Sequence, residues 1–162
     1  MLKILSGNFL KGLKFKKISY TNQEEIIFSA DEILIFPSLF KFIFGQIYFS
    51  KIKILTPYLN YDLIESNKKD KSTFKYKFYI DDLILIDGQL IAYKQNLNIE
   101  TSISLEYYKS FKININRIDI LPDSYNQIIN VPSGEISFNQ STLDLKNINI
   151  LSDSLKAKVN AY

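Results

Sequence analysis

One motif recurs along this chain: apolar-x-apolar-x-x-apolar-x-apolar, with a polar pair at its centre. It is found as LKFKKISY (13–20), FSADEILI (28–35), IYFSKIKI (47–54), FYIDDLIL (78–85), ININRIDI (113–120) and LDLKNINI (143–150). The central pairs are Lys16-Lys17, Asp31-Glu32, Ser50-Lys51, Asp81-Asp82, Asn116-Arg117 and Lys146-Asn147. Alternation with period two marks a half-buried strand. Strict alternation through the polar pair would send the second apolar pair to the opposite face. One extra residue, a β-bulge, restores the face, bends the strand and raises its twist. Many such strands predict a curved sheet with one continuous apolar face. The other reading is a two-residue turn between short strands, but Lys-Lys and Asp-Glu are poor hairpin residues.

Most of the remaining sequence alternates in the same way, as in TSISLEY (101–107) and FKININ (111–116). β-Branched and aromatic residues fill these runs, as strands prefer. Helical spacing is convincing only in SLFKFIF (38–44), with Pro37 before it, Ser38 to cap it and Gly45 to end it. A short helix near 37–44 is expected. Five Gly and four Pro are few for many tight hairpins, so the strands should be long. Turn signals stand at Thr56-Pro57, Asp87-Gly88, Pro122-Asp123 and Pro132-Ser133-Gly134. The polar stretch SNKKDKST (66–73) reads as a linker between residues 1–65 and 74–162. Both halves share one texture, so the expectation is a single sheet over 1–162.

Composition narrows the function. The chain is 46% hydrophobic and 23% charged, hence globular. Net charge is +3, with Lys scattered among Asp and Glu, which argues against a nucleic-acid binder. With no Cys and no His there is no disulfide, thiolate site, His-ligated metal or Ser-His-Asp triad. A spanning helix needs about 20 apolar residues in a row. LIFPSLFKFIFGQIYF (34–49) is shorter and is broken by Pro37, Lys41 and Gly45, so no span is expected there.

Catalytic chemistry finds little support. Glu24-Glu25, Asp31-Glu32 and Asp81-Asp82 are carboxylate pairs, but strand neighbours point to opposite faces. Ser66 and Lys69 have the spacing of a Ser/Lys nucleophile but fall in the polar linker. The chain is expected not to be an enzyme, and to need no metal or cofactor. Lys3, Lys11, Lys14, Lys16 and Lys17 form a basic cluster suited to anionic headgroups or to blocking edge pairing.

The order of these features resembles the N-terminal region of TamB-like proteins, within the AsmA-like group. In SGNFLKGLKFKKISYTNQEEIIFSADEILIFPSLFKFIFGQIYFSKIKILTPYLNYDL (6–63), a Gly-containing lead precedes a strand. A second strand, the short helix and a strand pair follow. FYIDDLILIDGQLIAY (78–93) and SGEISFNQSTLDLKNINILSDSLKAKV (133–159) are similar to the family's strand-Gly-strand units. The resemblance implies an elongated, curved antiparallel sheet, a β-taco, whose apolar groove accommodates phospholipid acyl chains. It implies anchoring in the bacterial inner membrane on the periplasmic side, and an outer-membrane barrel partner of TamA type. The family's N-terminal membrane helix, long middle and C-terminal domain have no counterpart here, so a segment of a longer protein is expected.

The residues expected to line the groove are Ile47, Phe49, Ile52, Ile54, Phe78, Ile80, Leu83, Leu85, Ile113, Ile115, Ile118, Ile120, Leu143, Leu145, Ile148 and Ile150. Phe40, Phe42 and Phe44 on the helix are expected either to close one end of the groove or to enter a nearby bilayer interface. The alternative to a lipid groove is a closed β-sandwich without ligand, in which a second sheet covers the apolar face.

Overall fold

The computed structural model describes residues 3–8, 12–64, 76–108, 110–124, 127–139 and 142–161. They form one all-β sheet of twelve strands with a single short α-helix. The strands are β1 (Lys3–Asn8), β2 (Gly12–Asn22), β3 (Glu25–Pro37), β4 (Gln46–Leu55), β5 (Tyr58–Asn60), β6 (Lys77–Ala92), β7 (Gln95–Tyr107), β8 (Phe111–Pro122), β9 (Ile129–Val131), β10 (Gly134–Asn139), β11 (Thr142–Leu151) and β12 (Lys156–Ala161). Helix α1 spans Leu39–Ile43, and a 3-10 turn spans Tyr61–Leu63. The expected linker at 66–73 lies outside the described residues.

Neighbours across the sheet run β1-β2-β3-β4-β6-β7-β8-β10-β11-β12. β5 lies between β3 and β6, where it continues the line of β4 beyond Pro57. β9 lies between β8 and β11, in line with β10 across Pro132. Ten positions therefore span the sheet. The turn signals at Thr56-Pro57 and Pro132-Ser133-Gly134 mark breaks within a line of strand, not reversals. Proline has no N–H to give the ladder, so each line is interrupted and then resumes.

Two further expectations are corrected. The sheet is mixed: β4 and β5 both pair with β6 in parallel. A parallel neighbour needs a long crossover and not a tight turn, and alternation alone carries no strand direction. Asp87-Gly88 is not a turn either. It is a second bulge inside the 16-residue β6, where Leu85 pairs with Thr101 but Gly88 with Ile99. A Cβ on Gly88 would lie 2.8 Å from the Ile99 carbonyl oxygen, so the close approach of β7 selects glycine.

The reversals use other residues. Gln23-Glu24 and Tyr93-Lys94 link β2 to β3 and β6 to β7, all four with positive φ between 47° and 71°. A two-residue loop of this kind matches the twist of its strands. The short supply of Gly is met by ordinary residues held in a left-handed conformation.

The polar pairs are bulges, as the motif predicts. Ile80 pairs with Leu105 and Leu83 with Ile103, three residues against two. Asn116-Arg117 and Lys146-Asn147 shift the register likewise on β8 and β11, and Ser50-Lys51 does so between β3 and β4. Lys16-Lys17 and Asp31-Glu32 face each other, so Lys16 pairs with Glu32 and Ile18 with Ala30 without a net slip. Lys17 and Asn147 have φ of 51° and 52°, the left-handed geometry that absorbs an extra residue.

Candidate functional site

Residues paired across neighbouring strands project to the same face, so the register shows what each face carries. One row runs Phe49, Ile80, Leu105, Ile113, Ile136 and Leu145. The next runs Ile35, Ile52, Leu83, Ile103 and Ile115 to Gly134. At Gly134 a Cβ would meet the Ile148 side chain at 2.4 Å, so Ile148 fills the place of the missing side chain. A third row runs Phe15, Ile33, Ile54, Leu85, Thr101, Ile118 and Val131. A row nearer α1 runs Ile47, Phe78, Tyr107, Phe111, Phe138 and Leu143.

All sixteen residues expected from the motif fall on this face. Ile120 extends it beyond Ile118, paired with Ile99 and Ile129, and Ile150 extends β11 beyond Ile148. The bulges are the cause, since without them Leu83 and Leu85 would leave the face that Phe78 and Ile80 occupy. The expected set left out residues that close the rows: Ile33 and Ile35 of β3, although one copy of the motif contains them, and Ile99, Ile103 and Leu105 of β7 and Ile136 of β10, which the motif does not reach. Plain alternation was the available signal in β7 and β10.

Burial on this face is shallow. Ile80 and Ile115 are buried, Leu143 is exposed, and the other thirteen are half-buried. Among the described residues the buried apolar side chains are Ile27, Ala30, Ile80, Ile115 and Val131, with Pro57 and Pro122, and no side chain is fully enclosed. A sandwich core would enclose whole rows between two layers. Here the described strands all belong to one sheet. Thr101, the polar member of the third row, is buried with its hydroxyl donating to the Arg117 carbonyl at 3.0 Å, so it adds no open polar group.

The opposite face carries charge in pairs. Lys14 meets Glu32 at 2.7 Å, Lys51 meets Asp82 at 3.4 Å and Lys112 meets Glu135 at 3.1 Å. Asp82 also accepts from the Ser102 hydroxyl at 3.0 Å, while the Tyr48 hydroxyl donates to Asp81. That bond to the carboxylate, with lesser help from burial and from the Asp81 charge, raises the Tyr48 pKa above the ordinary phenol value. Arg117 and Asn130 both donate to Asp119. Burial pushes the Asp119 carboxyl up, but these hydrogen bonds and the Arg117 charge outweigh it and hold the pKa below the usual carboxylate value. Adjacent Asp81 and Asp82 thus engage different partners, Tyr48 for one and Lys51 with Ser102 for the other. Among the described residues, no three acidic side chains gather as a metal site.

Helix α1 is placed differently from one of its two expectations. Phe40, Phe42, Ile43 and Phe44 are 69, 67, 79 and 65% exposed, so the three Phe rings do not plug the end of the apolar face. Five residues make little more than one turn, and no described strand covers their side chains. Gly45, with φ of 70°, ends the turn as the sequence indicates, whereas the Ser38 side chain makes no capping bond. Among the described residues no helix is long and apolar enough to cross a membrane.

Comparison with known proteins returns no match: no family model, no curated protein and no solved structure is similar to this chain.

Proposed function

We propose that this chain is a segment of a TamB-like, AsmA-related bridge protein that holds lipid acyl chains against its apolar sheet face. The observation that supports this reading is a face of aligned apolar rows with no second sheet over it among the described residues. Such a face must find an apolar cover. Acyl chains suit it, because each methylene removed from water contributes about 0.8 kcal/mol and a chain laid along the strands meets row after row. The bulges supply the bend that turns a flat face into a groove. In this reading the protein supports phospholipid passage between inner and outer membranes and outer-membrane protein assembly. It sits on the periplasmic side of the inner membrane and works with a TamA-type barrel, roles that rest on the sequence resemblance. The competing reading, a ligand-free β-sandwich module, requires a second layer that the described strands do not provide.

The test is native mass spectrometry of the chain purified without detergent, followed by lipid extraction. Phospholipid at fixed stoichiometry is the expected result, and Leu83→Asp or Leu145→Asp should abolish it while strand content is kept. A bare, monodisperse chain, or variants that retain lipid, would overturn the groove.

A further inference from the structure

The two ends of the sheet differ in chemistry. At the α1 end lies the row Ile47, Phe78, Tyr107, Phe111, Phe138 and Leu143, of which Phe111, Phe138 and Leu143 are exposed. Beyond this row stand the exposed side chains of α1, together with exposed Tyr76 and Tyr108. From this row outward, the charged groups among the described residues are Lys41 and Lys77, and there is no carboxylate. Lys41 Nζ lies 5.6 Å from the Tyr48 ring centroid, and Lys77 Nζ lies 4.4 Å from that of Tyr108. The opposite end, past the row Tyr20, Phe28, Leu59, Leu90, Leu97 and Pro122, carries Glu24, Glu25, Asp62, Asp123 and Asp153 against Lys94.

We infer that the α1 end is a membrane-docking surface that inserts end-on into the interface of an anionic bilayer. Apolar and aromatic side chains at the rim of a protein, flanked by lysines, match the layering of a bilayer interface. The rings enter the headgroup–acyl boundary, and the lysines meet the phosphates. Exposure of four neighbouring apolar side chains on a helix of barely one turn has no use inside this sheet. The charge difference sets the orientation: an anionic surface attracts the Lys41–Lys77 end and repels the acidic one. The partner is a lipid surface: its apolar interior takes the rings and its phosphates the lysines, whereas two copies meeting by their α1 ends would set cation against cation. This inference rests on the end of the sheet and not on what fills its face, so it stands or falls apart from the groove.

The natural chain contains no Trp, which makes the test direct. Phe42→Trp reports from α1, and Tyr93→Trp reports from the acidic end at an equally open site, 83% exposed. Each full-length variant is titrated with vesicles of phosphatidylcholine alone and of phosphatidylcholine mixed with phosphatidylglycerol. The expected result is a blue shift and brominated-lipid quenching for Phe42→Trp on the anionic vesicles only, with none for Tyr93→Trp. Lys41→Gln in the Phe42→Trp background should weaken binding about fivefold, the worth of one lysine at an anionic surface. No shift at Phe42→Trp, equal shifts at both ends, or a shift that follows protein concentration without vesicles would each overturn the proposal. The last outcome would identify a second copy as the partner. Because the readout is vesicle binding, its failure is separate from a failure to co-purify lipid.

Discussion

Asp62 holds the turn at Tyr93: its carboxylate accepts the Tyr93 N–H at 2.7 Å, and through its other oxygen the Lys94 N–H at 2.7 Å. Both turn residues have positive φ, 52° and 61°. The carboxylate sits in the 3-10 turn, whose own start is secured by the Asn60 side chain accepting from the Asp62 N–H at 3.1 Å. The 3-10 turn that follows β5 thus fixes a hairpin about thirty residues later. Asp62→Ala should cost about 1–2 kcal/mol, toward the low end for two bonds to a charged acceptor because the site is exposed. Urea denaturation would show a lower midpoint at unchanged slope. An unchanged midpoint would mean that the turn holds itself.

The same turn offers a gain. A non-glycine residue in the left-handed region costs about 1 kcal/mol. Lys94→Gly should therefore raise the denaturation midpoint, by about 0.5–1 kcal/mol, and Lys94→Val should lower it. A loss on Lys94→Gly would show that the Lys94 side chain contributes more than its backbone strain costs.

Two glycines should fail for different reasons. In Gly88→Ala the new Cβ meets backbone at 2.8 Å and Pro57 Cγ at 3.2 Å, so β6 and β7 must part, at about 1–3 kcal/mol. In Gly45→Ala the Cβ meets open space, and only the φ of 70° opposes it, at about 1 kcal/mol. Thermal unfolding of the two variants side by side would separate them. Equal losses would mean that contact with β7 is not what selects Gly88.

The bulge itself is open to test. Deleting Asp81 removes the extra residue: strict alternation then keeps Leu83 and Leu85 on the apolar face and in step with β7, but the bend is lost and β6 falls one residue out of step with β4, which keeps its own polar pair. The deletion should keep cooperative unfolding but lower the midpoint, whereas Asp81→Asn, which keeps the residue count, should stay closer to the wild type. Calorimetry on both variants decides the matter. A wild-type midpoint in the deletion would mean that the matched bulges of β4 and β6 contribute nothing to stability.

Asp119 predicts a pH dependence. Its folded pKa is held below the unfolded value, chiefly by Arg117 and Asn130 against the opposing effect of burial. The stabilisation it provides is full above the unfolded value, near about 4, and fades as pH falls through the lower folded value. The stability difference between wild type and Asp119→Asn should shrink as pH falls from about 5 to about 3. Because Arg117 is 62% exposed, the effect should also weaken with added salt. A difference that is flat over this range would show that the pair contributes nothing.

Much of this fold is written locally. Alternation placed the strands, and the polar pairs placed the bulges. Together they assigned all sixteen apolar residues to one face, because side-chain direction along a strand depends only on residue count. The tertiary structure alone decided who pairs with whom. Whether β6 runs parallel to β4, and whether Pro57 and Pro132 reverse the chain or only interrupt it, depends on contacts between distant residues. Asp87-Gly88 has the composition of a turn, yet β7 on one side and Pro57 on the other hold it in mid-strand. Exposure too was undecided: SLFKFIF is equally apolar as a plug or as a rim, and among the described residues no strand covers α1, which leaves Phe40, Phe42 and Phe44 in the open. The sequence determined which face each residue joins, through the covalent period of the strand, and the long-range packing decided what that face meets.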